Sequence, residues 1–372
     1  MNRYYQKLNN KKHQYIIFSN AQGKSWIVPL KNMRTALNLY QPSSLSGKLI
    51  KRLLPYLHRV PIVRRMARAH YLQIKLRDEV KELLCEVLNL SDFEYSLFSG
   101  TPSVHQKVTI QISQGEKIIA YCKLAENPEI VNLFEQEETL LKQLHKKGVE
   151  HIPTCLYCGR VTQNNDTEAF VESTIKTNHS HIVHSWSEQH WQFLKELHQH
   201  TKASIPFAQS EFAQSLITLE GYLDCLPKAD QKIVSKAIER VRKFYGNKEV
   251  EFSAFHGDFT PWNMFIEDGE LFVFDLEYAG RSYPPYIDWF HYFTQVGLLV
   301  EGYTDDRLWA FCKKQIQVEK ENFSNIYLAY TQYLLAILSL YLHITHGTLN
   351  IEGISYKSWI GLLARLNGRS VD

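Results

Sequence analysis

The stretch Phe255-His256-Gly257-Asp258-Phe259-Thr260-Pro261-Trp262-Asn263, followed closely by Phe272-Val273-Phe274-Asp275-Leu276-Glu277, limits what this chain can fold into more than any other. Gly257 and Pro261 break any helix, and the proline fixes a turn, so Asp258 and Asn263 belong to a loop. Asp268-Gly269 is a strong hairpin signal and joins Asn263-Met264-Phe265-Ile266 to the apolar run ending at Asp275. Loop and hairpin together bring Asp258, Asn263 and Asp275 to one end of a small sheet.

A carboxylate beside a hydroxyl, with an Asn and an Asp to hold divalent cations, is the constellation of phosphoryl transfer. His-Gly-Asp, an asparagine five residues on and then Asp-x-Glu resemble the aminoglycoside phosphotransferase and choline kinase superfamily, which shares the protein-kinase fold. The run Phe274-Asp275-Leu276-Glu277-Tyr278-Ala279-Gly280 through Asp288 is particularly similar to the choline/ethanolamine kinase pattern. The competing reading is a surface hairpin without chemistry; three motifs in order at sensible spacing weigh against it.

The resemblance implies an α+β, protein-kinase-like bilobal fold: a small antiparallel β lobe and a larger, mainly helical lobe. The expected division is a basic N-terminal region over 1–90, a nucleotide-binding lobe over 91–175 and a catalytic, acceptor-binding lobe over 176–372. The resemblance covers about three quarters of the 372 residues, and the basic head lies outside it. Residues 1–77 hold 16 Lys/Arg and no Asp or Glu, whereas the remainder has 26 basic and 39 acidic residues. That split gives the head a role different from the body's. Two readings stand: a cap whose cations face the acidic body, which is favoured, or a surface for anionic lipid or another polyanion. No nucleic-acid-binding module accompanies the charge, so nucleic acid is not expected.

The head opens with a hairpin pattern, Gln14–Phe18 and Ser25–Val28 around Asn20-Ala21-Gln22-Gly23-Lys24. Leu49-Ile50-Lys51-Arg52-Leu53-Leu54 and Val63–Arg68 mix cations with apolar residues, and Pro55 and Pro61 limit helix length. A helix over Asp78–Asn89 leads to strands at Tyr95–Phe98, Gln106–Ile112 and Lys117–Lys123. Between the first two, Ser99-Gly100-Thr101-Pro102-Ser103 stands where the family has its nucleotide-covering loop. Gly100 permits close backbone approach to phosphates, although one glycine alone is an ordinary turn.

Lys123 ends an apolar strand, so it either snorkels or finds a partner. Glu137, Leu140, Leu141 and Leu144 share one helical stripe, which turns Glu137 toward the core, where a carboxylate needs a counter-charge. Lys123 and Glu137 match the lysine–glutamate pair of kinase folds, with Glu138 as fallback. Strands at Thr154–Gly159 and Ala169–Val171 complete the lobe, and Glu172-Ser173-Thr174 forms the connection whose backbone could meet an adenine ring. Cys155-Leu156-Tyr157-Cys158 has no second cysteine pair, so strand packing is favoured over zinc. His179, His181, His184 and His190 invite a metal reading but lack its spacing, and Ser185-Trp186-Ser187-Glu188 resembles a capping box that opens the next helix. That helix ends in Leu197-His198, with His198 structural. Residues 211–245 read as helical, Asp288 as a cap on the helix it begins, and Ile326–Leu342, free of charge, as a buried helix rather than a membrane span.

By the resemblance, Asp258 orients the acceptor hydroxyl, Asn263 and Asp275 hold Mg²⁺, Lys123 contacts the α- and β-phosphates of ATP, and Glu277 assists the second metal or braces its strand. His256 supports the loop. Only 13 positions separate Asp275 from Asp288, too few for a protein kinase's activation segment, and this favours a small-molecule hydroxyl acceptor. Trp289, Phe290, Tyr292 and Phe293 would suit a quaternary amino-alcohol such as choline if they line the site, and are core if they do not. Sugar, aminoglycoside and glycan-precursor hydroxyls stay open. The rival classes are a pseudokinase-like binding module and an assembly factor acting through its basic head. The N-terminus lacks a secretory pattern and the six cysteines suit a reducing compartment. A cytoplasmic location is therefore expected, with the head giving the option of the membrane's inner face.

Overall fold

The computed structural model describes residues 3–8, 14–20, 23–42, 44–100, 106–164, 166–183 and 185–369. The chain folds as two compact units, one of residues 1–145, 151–182 and 265–272, the other of 146–150, 183–264 and 273–372.

The first unit begins with strands β1 (Tyr5–Lys7), β2 (Tyr15–Ser19) and β3 (Ser25–Pro29). Helices α1 (Met33–Ala36), α2 (Leu45–Leu57) and α3 (Pro61–Met66) follow, with a 3-10 turn at Leu37–Leu39 after α1. Ser44 caps α2 by accepting from the Gly47 N–H, and Pro61 opens α3, where its missing N–H costs nothing. Next come β4 (His70–Leu72), β5 (Ile74–Leu76) and α4 (Asp78–Leu88). The lobe closes with β6 (Glu94–Ser99), β7 (Val108–Gln114), β8 (Lys117–Ala125), α5 (Pro128–Lys146), β9 (Cys155–Arg160) and β10 (Glu168–Ser173).

Eight of these strands form one antiparallel sheet in the order β4-β2-β3-β6-β7-β8-β10-β9. The basic head is therefore continuous with the lobe that follows it: β3 pairs with β6, Trp26 opposite Phe98 and Ile27 opposite Leu97. Because side chains alternate across a strand, Leu97, Ile110, Ala120, Cys122 and Val171 face one way and pack on Val80 and Leu84 of α4. Trp26 and Phe98 face the other way, stacked at 5.2 Å, where Met33, Leu37 and Leu54 cover part of that side. On α5 the buried residues Ile130, Phe134, Glu137, Leu140, Leu141 and Leu144 form the single stripe that the 3.6-residue period requires.

The second unit holds α6 (Glu188–Thr201), α7 (Glu211–Gly221) and α8 (Lys228–Tyr245). A three-stranded sheet runs β11 (Ala203–Pro206), β12 (Glu249–Phe255) and β15 (Gly280–Tyr283). In chain order, β12 is followed by the hairpin β13 (Met264–Glu267) and β14 (Glu270–Val273), whose residues 265–272 belong to the first unit and which turns at Asp268 and Gly269. Both turn residues have positive φ, 50° and 90°, as a two-residue hairpin turn of this type demands. Helices α9 (Ile287–Gln295), α10 (Asp305–Glu319), α11 (Ile326–Ile344) and α12 (Ile354–Leu366) complete the unit. By length and composition α11 could cross a membrane, but most of it is buried among α7, α8, α9 and α12, so it is the core helix of this unit.

Candidate active site

In the second unit, chain reversal after β12 is forced by Gly257 (φ 82°), where a Cβ would lie 2.2 Å from the Tyr278 carbonyl oxygen. Only glycine fits there. The Asp288 carboxylate clasps this turn, accepting from the His256 N–H at 2.7 Å and the Gly257 N–H at 3.1 Å. This corrects the sequence expectation for Asp288. Its own helix is preceded by Tyr286 in a left-handed conformation with no side-chain cap, and the carboxylate instead satisfies the loop. Asp288 is 2% exposed, and burial pushes its carboxyl above the ordinary range. The two N–H bonds and the neighbouring His256 and His291 act in the opposite sense.

The His256 ring ties the loop to Phe274, the residue that follows β14. Its Nε2 lies 3.0 Å from the Phe274 carbonyl, and its Nδ1 accepts the Asp258 N–H at 3.2 Å. The Phe274 N–H in turn donates to the Asn263 carbonyl at 3.0 Å. Loop and strand end are thereby fixed to each other, and Asp275 follows directly with φ 67°, unusual for a non-glycine residue.

Asp258 is about a third exposed and is held from two sides. The Asn263 Nδ2 donates to its Oδ2 at 2.7 Å and to its carbonyl at 3.0 Å, and His291 Nε2 lies 3.0 Å from Oδ1. Both partners of the Asn263 amide group are acceptors, so the NH₂ must face them and Oδ1 faces the other way. Burial raises the Tyr278 phenol, with Glu277, Tyr341, Asp275 and Asp258 as the further causes. The charges of Glu277, Asp275 and Asp258 all bear on this partly buried phenol, so the three carboxylates share one acidic neighbourhood. His291 went unnoticed in the sequence. The available signal was its i, i+3 spacing from Asp288, which sets both on one face of α9.

In the first unit, Lys123 is 4% exposed and Glu137 fully buried. The lysine Nζ lies 3.0 and 3.3 Å from the two Glu137 oxygens and 3.7 Å from Glu172 Oε1. The Glu172 side chain therefore belongs to the buried ion cluster at Lys123. Glu138 is the solvent-side neighbour, paired with Lys142 at 2.7 Å. The Gly100 carbonyl accepts from Gln106 Nε2 at 2.7 Å, and the Thr174 hydroxyl accepts the Lys176 N–H at 3.1 Å. Residues 101–103 of the expected phosphate loop, and His184, lie outside the described residues.

Among the described residues no group of three His, Cys, Asp or Glu side chains is arranged to hold a metal. Cys155 and Cys158 sit half-buried on β9, each thiol pushed up to about 12 mainly by burial. His190 is a structural residue. It receives the Ser187 N–H at 3.1 Å, so the capping box is Ser187 with His190 rather than Ser185 with Glu188. Burial lowers its imidazole to about 4, which keeps Nδ1 neutral and able to accept. Trp289, Phe290, Tyr292 and Phe293 are all buried, packed against Trp186, Phe323 and Tyr330. They are core, which removes the aromatic-wall argument for a quaternary ammonium acceptor.

An antiparallel lobe carrying a buried Lys–Glu pair, and a helical lobe carrying an Asp–Asn loop followed by Asp-x-Glu, define a protein-kinase-like fold. Residues 122–290 match the model of the phosphotransferase enzyme family. Among solved structures, the fold is similar to a thermostable mutant of aminoglycoside phosphotransferase APH(4)-Ia in ternary complex with ADP and hygromycin B. That likeness has a TM-score of 0.51 at 12% identity and covers 78% of this chain and 100% of the other. A second structure of aminoglycoside phosphotransferase APH(4)-Ia gives a TM-score of 0.51, 12% identity, and 78% and 99% coverage. No curated protein matches the sequence.

Proposed function

We propose that the chain is an ATP-dependent phosphotransferase acting on a hydroxyl of a small molecule. The observation that carries this reading is the Asp258 carboxylate, partly exposed and held between Asn263 and His291. A carboxylate so held can accept a hydrogen bond from an acceptor hydroxyl, orient its oxygen and take up its proton. The residues fit a magnesium ion. With its NH₂ engaged by Asp258, Asn263 offers Oδ1, a hard oxygen, and Asp275 offers a carboxylate; Mg²⁺ takes one or two carboxylates beside phosphate oxygens. Asn263 and Asp275 would hold it, with Glu277 adjoining. Lys123, positioned by Glu137 and Glu172, would contact the phosphates of ATP, and backbone near Gly100 and at Glu172–Thr174 would meet the rest of the nucleotide. When bound, Mg–ATP supplies the phosphoryl group and neutralises charge on it. The acceptor is a hydroxylated small molecule, such as a sugar, an aminoglycoside or an amino-alcohol, and a cytoplasmic site of action fits a nucleotide-dependent reaction.

The test is an ADP-release screen of small alcohols, sugars and aminoglycosides with the wild type, Asp258→Asn and Asp275→Ala. Acceptor-dependent turnover that falls by about two orders of magnitude or more in both variants is expected. Turnover unchanged in either variant would refute the assignment.

A further inference from the structure

Within the first unit, a cavity of about 480 Å³ is lined by Arg34, Leu37, Asn38, Lys51, Arg52, Pro55, Tyr56 and Asn178. Its charge is uniform: three cations and no carboxylate. None of the three forms an ion pair among the described residues, whereas Lys31, Lys75 and Lys81 of the same region each reach an acid. The Lys51 charge also bears on Lys176. It is 5% exposed, lowered to about 7 by burial and then by the Lys51 charge, while burial lowers Lys51 itself to about 8. Arg34, Lys51 and Arg52, gathered on one wall with no carboxylate among them, leave a strong positive potential in a partly desolvated space.

The polar remainder of the wall is braced. The Asn178 Nδ2 donates to Thr35 Oγ1 at 3.0 Å, and its Oδ1 accepts from Asn38 Nδ2 at 2.9 Å. The Thr35 carbonyl accepts from Gln111 Nε2 at 3.0 Å, which fastens α1 to the buried face of β7. The cations thus project from α1 and α2, of which α1 is fixed to the sheet. Two guanidinium groups and an ammonium match the oxygens and charge of a phosphate better than a single carboxylate. The volume exceeds what inorganic phosphate needs and suits a small organic body against Leu37, Pro55 and the Tyr56 ring. Leu45, Leu49, Arg52 and Tyr56 follow one exposed side of α2, with Leu45 85% and Tyr56 73% exposed. The apolar strip therefore runs to the cavity's edge.

We propose that this cavity binds a phosphate ester, its anionic head held by Arg34, Lys51 and Arg52 and its polar body by Asn38 and Asn178. The ester is either soluble or the headgroup of a lipid whose chains lie along the exposed strip. The site stands whether or not the chain transfers phosphoryl groups, and its test needs neither nucleotide nor metal.

The full chain is titrated with glycerol 3-phosphate by calorimetry, and separately sedimented with phosphatidylcholine vesicles with and without phosphatidic acid. Both are repeated with Arg34→Gln/Arg52→Gln, whose exposed side chains can change without disturbing the core, and with the milder Asn178→Ala. Binding in either arm that weakens at least roughly tenfold in the double variant supports the site. Loss in the first arm identifies a soluble ester, and loss in the vesicle arm alone identifies a lipid headgroup. Absence of binding in both arms, or equal binding by wild type and double variant, overturns the proposal. Unchanged melting of the unliganded variants verifies that the fold is intact.

Discussion

His291 Nε2 stands 3.0 Å from Asp258 Oδ1, on the same face of α9 that presents Asp288 to the loop backbone one turn earlier. One helix thus fixes both the path of the loop and the orientation of its carboxylate. His291→Ala is expected to lower kcat by about a hundredfold, since a misdirected carboxylate costs that much, while KM for nucleotide stays unchanged. His291→Gln, which keeps a donor, should recover much of the loss. Steady-state kinetics with an acceptor found in the screen would decide, and equal kcat for wild type and His291→Ala would exclude the orienting role.

Lys123 is shared by two buried carboxylates. Lys123→Met should destabilise the protein by about 3–5 kcal/mol, because it strands buried charge. Adding Glu137→Gln should restore part of that stability without restoring nucleotide binding. Urea unfolding and nucleotide titration of the single and double variants separate the two effects. A double variant no more stable than the single one would mean that the ion cluster is not the source of the loss.

The turn at Gly257 admits no side chain. Gly257→Ala combines a left-handed φ with a clash against the Tyr278 carbonyl, and should cost at least about 2 kcal/mol. A melting temperature equal to wild type would show that the loop relaxes at little cost.

His190 imposes a pH dependence. Its imidazole lies at about 4 when folded, against 6.5 when unfolded, so the unfolded state binds more protons between these values. Stability should therefore rise with pH from about 4 to 6.5 and be penalised by about 2 kcal/mol at pH 5. Glutamine can serve at the third position of a capping box but does not titrate. His190→Gln should thus be flatter than wild type between pH 5 and 7.5 in urea titrations; parallel curves would contradict the assignment.

The Asp258–Asn263 loop, the Asp268-Gly269 hairpin and the α5 stripe were legible in the sequence because each is a local pattern: a turn residue, a dipeptide, a period. That Glu137 needs a counter-charge followed from its place on that stripe, and the resemblance to kinase folds implied Lys123 as its partner. What escaped depends on distant neighbours. Nothing near Asp288 reveals that its acceptors serve the His256 and Gly257 N–H groups rather than its own helix, and His291 gains meaning only once α9 meets the loop. The basic head could be read as charge, but not as three more strands of the same sheet, because strand order is set by long-range pairing that no periodicity records.

The seam between β3 and β6 bears on how the head can be studied. Pruning residues 1–77 would not lift off an accessory; it would bare the edge of β6 from Leu97 to Ser99, strip Phe98 of Trp26, and invite pairing with foreign chains. Architecture and cationic character are welded into the same segment, and only surgery on single side chains can part them.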